Sequence, residues 1–113
     1  MHEYSIVLAL LDQVERQARE HDAQAVAKIR VRLGAESGVE VELLETAFEL
    51  ARTGTICENA GLELVRTPVR WQCPTCEQEI VRGEHLVCPL CEQPAVLISG
   101  DEILLERLEL EVP

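Results

Sequence analysis

The stretch Trp71–Ala95, WQCPTCEQEIVRGEHLVCPLCEQPA, decides how this chain is built. It holds C-P-T-C at Cys73–Cys76, then eleven residues, then C-P-L-C at Cys88–Cys91. A C-x2-C turn presents two sulfurs to one point while its backbone N–H groups stabilise the thiolates, so two such turns complete a tetrahedron. Proline after the leading cysteine helps pre-set each turn. The intervening residues include V-R-G-E-H, which supplies a ribbon turn around Gly83. Cys73, Cys76, Cys88 and Cys91 are therefore expected to hold a structural Zn2+. Four thiolates leave no position open for water, so this zinc is not catalytic.

Other uses of the same spacing fit less well. Iron in a rubredoxin-like site takes the same thiolate geometry, but those knuckles usually continue with glycine, where Glu77 and Glu92 stand here. A thioredoxin-like redox pair does not need a second matched pair. Zinc ribbons often bind nucleic acid, yet Glu77, Glu79, Glu84 and Glu92 face Arg82 alone. The whole chain carries a formal charge of −11, the wrong sign for phosphate.

Outward from the cysteines, periodicity sets the frame. LELVRTPVRW on one side is a strand edged by Pro68, and DEILLERLELEV on the other alternates Leu108, Leu110 and Val112 with Arg107, Glu109 and Glu111. The metal segment thus lies between two strands of one sheet, as an insertion. Upstream, Ile6, Leu10, Val14 and Ala18, with Val7 and Leu11 beside them, predict an amphipathic helix from about residue 4 to about 20. AVAKIRVRLG alternates Ala27, Ile29, Val31 and Leu33 with Lys28, Arg30 and Arg32, a strand that Gly34 ends. GVEVELLETAFELARTG is helical again, with Val39, Leu43, Ala47, Phe48 and Leu50 or Ala51 inward and Gly54 as the stop. The expected class is α+β: two helices on a sheet of about three strands, with an inserted four-cysteine zinc ribbon. The body comprises residues 1–70 plus 101–113, and the ribbon residues 71–100. At 113 residues with 47% apolar content and only three aromatics, its core is Leu, Val, Ile and Ala.

The first residues, MHEYSIVLALL, have no positive n-region and are too short to span a bilayer, so a cytoplasmic protein with its own N-terminus is expected. His2 has an unusual neighbourhood there. The α-amine of Met1, the amide nitrogen of His2 and its imidazole Nδ1 close two chelate rings on one ion, and Glu3 adds a fourth donor. Nitrogen and oxygen donors of this kind suit Ni2+ or Cu2+. The amine and imidazole must be neutral, with reference pKa values near ~8 and ~6.5, so binding is pH-sensitive. On position alone a plain surface histidine also fits.

MHEYSI at the start, G-T-x-C-E at Gly54–Glu58 and the inserted C-P-x-C ribbon together resemble the HypA family across essentially the whole chain. That family, which includes HybF, comprises nickel metallochaperones of [NiFe]-hydrogenase maturation, some also serving urease. The resemblance implies Ni2+ at Met1, His2 and Glu3, and Zn2+ at Cys73, Cys76, Cys88 and Cys91. It implies as partners a HypB-like GTPase and the hydrogenase large subunit, with no nucleic acid and no membrane. The protein itself is then no enzyme, and a monomer or weak homodimer. The alternative is a zinc-ribbon adaptor with an inert His2. His85 fits an exposed turn residue or a neighbour of either metal, His21 a charge at a helix C-terminus, and Cys57 a small buried hydrophobe. Lys28, Arg30 and Arg32 form a solvated strand face or a dock for an acidic partner.

Overall fold

An apolar stripe on a helix must find a partner, and α1 (His2–Glu20) buries Val7, Leu11, Val14 and Ala18. It begins two residues earlier than periodicity alone suggests. Its C-terminus closes as a Schellman motif: Ala23 N–H donates to Ala18 O, Asp22 N–H to Arg19 O, and Asp22 takes φ 53°. The computed structural model describes residues 2–80 and 86–113; the expected turn at Gly83, and His85, lie outside the described residues. The chain divides into two compact units, one of Met1–Arg32, Val39–Val65 and Leu104–Pro113, the other of Leu33–Gly38 and Arg66–Ile103.

In the first unit, β1 (Ala25–Gly34) lies between β2 (Gly61–Thr67) and β6 (Ile103–Glu111). Gln24 N–H donates to Glu111 O, while Arg32 pairs with Glu106, so β6 runs against β1. Gly61 lies beside Ala27 and Glu63 beside Lys28 and Arg30, so β2 runs with β1. Parallel neighbours need a long crossover, and α2 (Val41–Ala51) provides it. Val26, Ile29 and Val31 of β1 are buried, as are Leu44, Ala47 and Phe48 of α2. Val39, Ala47 and Phe48 of the expected inward face of α2 are buried, but Leu44 is fully buried in place of Leu43, which is exposed, as is Leu50. Positions 43 and 44 both fit a 3.6-residue repeat with 47 and 51, and packing against α1 chooses the latter. Gly54, φ 78°, follows the C-cap Arg52 as anticipated.

The basic residues of β1 do not face solvent alone. Lys28 and Arg30 pair with Glu63, and Arg30 and Arg32 with Glu106, a ladder across all three strands. The Arg30 guanidinium holds the Glu63 carboxyl below the usual carboxylate range. Pairs this open to water add little to stability, so the ladder serves register more.

The second unit carries the sheet β4-β3-β5: β3 (Arg70–Gln72) pairs antiparallel with β4 (Glu79–Ile80) and with β5 (Val96–Ser99). Pro68, without an N–H, follows the last residue of β2, and the next strand belongs to the other sheet. Among the described residues no helix is long and apolar enough to cross a membrane.

Candidate metal centre

The cysteine segment folds as the same knuckle twice. In the first, Glu77 N–H donates to Cys73 O and Cys73 N–H to Gln78 O; in the second, Glu92 N–H donates to Cys88 O and Cys88 N–H to Gln93 O. Gln72 pairs with Glu79 at the neck of one, Val87 with Pro94 at the neck of the other. Thr75 Oγ1 donates to Gln93 Oε1 at 2.6 Å, tying the two tips together. Each knuckle buries its leading cysteine, Cys73 or Cys88, and exposes its second, Cys76 or Cys91.

The four sulfurs all lie within 4.8 Å of one another, and Cys73 Sγ to Cys91 Sγ is 3.4 Å. That is far beyond a disulfide bond of ~2.05 Å. Separations of 3.4 to 4.8 Å straddle the edge of a sulfur tetrahedron, ~3.8 Å for metal–sulfur bonds of ~2.3 Å. The Cys76 N–H, 3.3 Å from Cys73 Sγ, is the main influence lowering that thiol to about 7. Sulfur neighbours push the Cys76 thiol the other way, to about 12. One negative sulfur therefore keeps another protonated, and only a cation at the centre lets all four ionise. The donor set fits a tetrahedral, thiolate-bound ion.

Backbone geometry adds what residue types alone did not. Glu77 and Glu92 sit at φ 56° and 62°, the left-handed region where rubredoxin-like knuckles place glycine. A side chain there costs ~1–2 kcal/mol through its Cβ. Glu77→Gly and Glu92→Gly are each expected to raise about fivefold the chelator concentration that strips half the metal, a change near 1 kcal/mol. An unchanged or lower chelator midpoint for both variants would show that the turn is not strained.

Cys57 belongs to the other unit and is fully buried. Burial, then the charge of Glu15, pushes its thiol up to about 11, so it is neither thiolate nor ligand at neutral pH. Its motif satisfies itself: Gly54 N–H donates to Glu58 Oε2, Thr55 Oγ1 to Arg52 O, and Cys57 N–H to Thr55 Oγ1. His21 is the C-cap of α1.

Of the three residues expected to take nickel, Met1 lies outside the described residues. His2 opens α1 with its side chain 65% exposed, and Nδ1 lies 3.8 Å from Glu3 Oε2. Glu3 is buried, and its Oε2 accepts from Glu40 N–H at 3.5 Å. Its own backbone N–H, then the Glu40 N–H and the neighbouring imidazole, hold the carboxyl below the usual range in spite of burial. Glu40, which the sequence did not single out, is the N-cap of α2 and caps nothing with its own side chain. No local pattern could reveal this link, because 37 residues separate the partners.

An α+β body with a four-thiolate ribbon defines a small metal-binding protein with at least one resident ion site. The model of the family "Hydrogenase/urease nickel incorporation, metallochaperone, hypA" matches residues 1–110. Hydrogenase maturation factor HypA of Shewanella oneidensis is 42% identical over 98% of this chain and 96% of its own. The solution structure of the Ni metallochaperone HypA from Helicobacter pylori is similar at 27% identity and TM-score 0.77, covering 98% of each chain. A second solution structure, of HypA protein, is similar at 28% identity and TM-score 0.82, covering 100% of this chain and 98% of that one. The chain belongs to the HypA family.

Proposed function

We propose that this protein is a nickel metallochaperone. It takes Ni2+ on Met1, His2 and Glu3 and passes it, with a HypB-like GTPase, to the [NiFe]-hydrogenase large subunit or to urease. Cys73, Cys76, Cys88 and Cys91 hold Zn2+, which stays in place and supplies rigidity, not chemistry. Residues 1–70 with 101–113 handle nickel and residues 71–100 zinc. The chain works in the cytoplasm and hydrolyses nothing itself; GTP turnover belongs to the partner.

The observation that carries this reading is the exposed His2 imidazole at the head of α1 with the ionised Glu3 carboxylate behind it. An exposed nitrogen and oxygen donor set releases its ion more readily than four sulfurs do, because ligands can be exchanged one at a time. Glu3, tied to the start of α2, fixes the backbone beside His2 while leaving the imidazole open.

The test is a Ni2+ titration of untagged, metal-loaded protein. His2→Ala, and separately a short N-terminal extension, should each weaken nickel binding ~100-fold or more while the ribbon keeps its ion. Binding should also fade as the pH is lowered, because protons compete with the ion for its nitrogen donors. Equal nickel affinity in all three proteins would instead favour the adaptor reading.

A further inference from the structure

Among the described residues, β2 and β6 are the outer strands of the first sheet, and their sequences treat that position differently. β2 opens on Gly61 and runs into Pro68, residues that discourage pairing with another chain. β6 spans 9 residues without a lysine, glycine or proline. Its outer edge is open in the folded chain: Leu105–Leu108, with Gln13 and Gln17 of α1, line a cleft of about 220 Å3. Arg107, Glu109 and Glu111 are exposed, as are Leu104 at 51% and Val112 at 56%. A long strand edge left open beside exposed apolar side chains is a template for one more strand.

The strand that suits this edge is β6 itself. Two copies paired antiparallel about a two-fold axis oppose residues whose numbers have a constant sum, both on one face of the sheet. Registers centred on Glu106, Arg107 or Leu108 pair most of β6. The first sets Glu106 against Glu106 and the second Arg107 against Arg107, and like charges directly opposite are unfavourable. Centred on Leu108, the pairing opposes no like charges. Arg107 then faces Glu109 of the second copy, and by symmetry Glu109 faces Arg107. Glu106 faces Leu110, Leu105 faces Glu111, and Leu108 faces Leu108. At the rim Leu104 meets Val112, so the two exposed apolar residues cover each other. Glu106 pairs with Arg30 and Arg32, which puts Leu104 and Leu108 on the face of the ion-pair ladder and Arg107 with Glu109 on the other. The net charge of −11 opposes self-association at long range, but at ~0.15 M salt charges beyond ~8 Å are screened, and the local match decides.

We propose that the occupant is a second copy of this chain, joined β6 to β6 antiparallel about Leu108 into one sheet of order β2-β1-β6-β6-β1-β2. Sedimentation of the untagged, metal-loaded chain in ~0.15 M salt, from ~10 μM to ~1 mM, should show a reversible monomer–dimer equilibrium. Arg107→Glu sets glutamate against Glu109 of the second copy, and Glu109→Arg sets arginine against Arg107. Each should weaken the dimer about tenfold. Glu109→Arg makes the chain less negative, so its loss of affinity cannot come from overall repulsion. The double variant Arg107→Glu with Glu109→Arg reinstates both opposite pairs and should recover the natural affinity. Both positions are exposed, so all three variants should fold, which unchanged melting temperatures verify. Amides of β6 that face away from β1 should gain protection from hydrogen exchange as concentration rises.

A natural chain that stays monomeric over the whole range would overturn the proposal. So would a dimer indifferent to both single variants, or a double variant no better than the singles. A dimer that outlasts dilution by hours would do the same, since copies that exchange whole elements separate slowly whereas paired edges do not. Nickel binding at His2 has no part in these measurements, so their outcome is separate from that of the chaperone reading.

Discussion

A Cys73→Ser protein is expected to lose its tightly held metal ion, and with it the β4-β3-β5 sheet, while both helices remain folded. The buried core of the ribbon is Cys73, Ile80 and Cys88, with Trp71 and Ala95 against it. Two of its three buried members are themselves sulfur donors. Fully burying an apolar side chain supplies roughly 1.5–3 kcal/mol, and three of them cannot offset the backbone entropy of the segment they order, at ~1–2 kcal/mol per residue. Structural zinc in small modules supplies ~10–16 kcal/mol at neutral pH. An ion on the four sulfurs would therefore stabilise the ribbon more than its apolar core does, and removing one thiolate would remove most of that stabilisation. Metal content after gel filtration in a mild chelator should fall from one ion per chain to near none. Amide resonances of Trp71, Ile80 and Leu97 should collapse while the far-ultraviolet helical signal persists. Cys57→Ser is the companion: a buried thiol changed to hydroxyl should cost ~1–3 kcal/mol of stability and leave metal content unchanged. A Cys73→Ser chain that kept its ion and its ribbon resonances would show that the ribbon does not depend on four thiolates.

The cysteine spacing was legible because its geometry is local: each knuckle is closed by hydrogen bonds spanning five residues or fewer, and proline favours its conformation. Both helices were legible from their stripes, and β1 and β6 from alternation, except that β1 begins with Val26 buried and Ala27 exposed, against the expected phase. Leu43 was misplaced because Leu43 and Leu44 both continue the repeat, and only α1 decides between them. The ladder through Glu63 and Glu106 was out of reach, since those residues meet Arg30 only after a crossover and an inserted unit bring three strands together. The Glu3–Glu40 contact was hidden for the same reason. Glu77 and Glu92 failed in a more instructive way. Their identity argued against a rubredoxin-like knuckle, yet the backbone adopts the left-handed turn regardless, since Glu77 N–H and Glu92 N–H close the turns onto Cys73 O and Cys88 O despite a local penalty of ~1–2 kcal/mol.

Gly34→Ala should destabilise the protein far more than alanine at the two glycines with φ 78°. Gly34 ends β1 where three chain segments cross. Its N–H donates to Glu102 O at 2.8 Å, and the next N–H, of Ala35, to Thr67 O at 3.0 Å. A Cβ on Gly34 would lie 2.2 Å from both the carbonyl carbon and oxygen of Gly100, and 2.6 Å from Asp101 N. Those are backbone atoms, and Gly100 O itself accepts from Glu36 N–H, so no side chain can turn away to make room. Gly100 is locked from the other side: its φ is 106°, and a Cβ there would meet Val69 Cα at 2.6 Å. Gly38 and Gly54 provide the comparison, since both have φ 78° but open space around an added Cβ. Alanine at either should cost only the backbone strain of a left-handed residue, ~1–2 kcal/mol. At Gly34 the cost is steric, beyond ~4 kcal/mol, which for a chain of this size lowers the melting temperature by on the order of 15–25 °C. Thermal melts of the Gly34→Ala, Gly38→Ala and Gly54→Ala proteins separate the two causes. If Gly34→Ala melted with the other two, the crossing would be loose enough to open, and hydrogen exchange at Ala35 and Gly34 would then be fast. Slow exchange at those amides in the natural protein, together with a steep loss in Gly34→Ala alone, is what a crossing held by backbone contact requires.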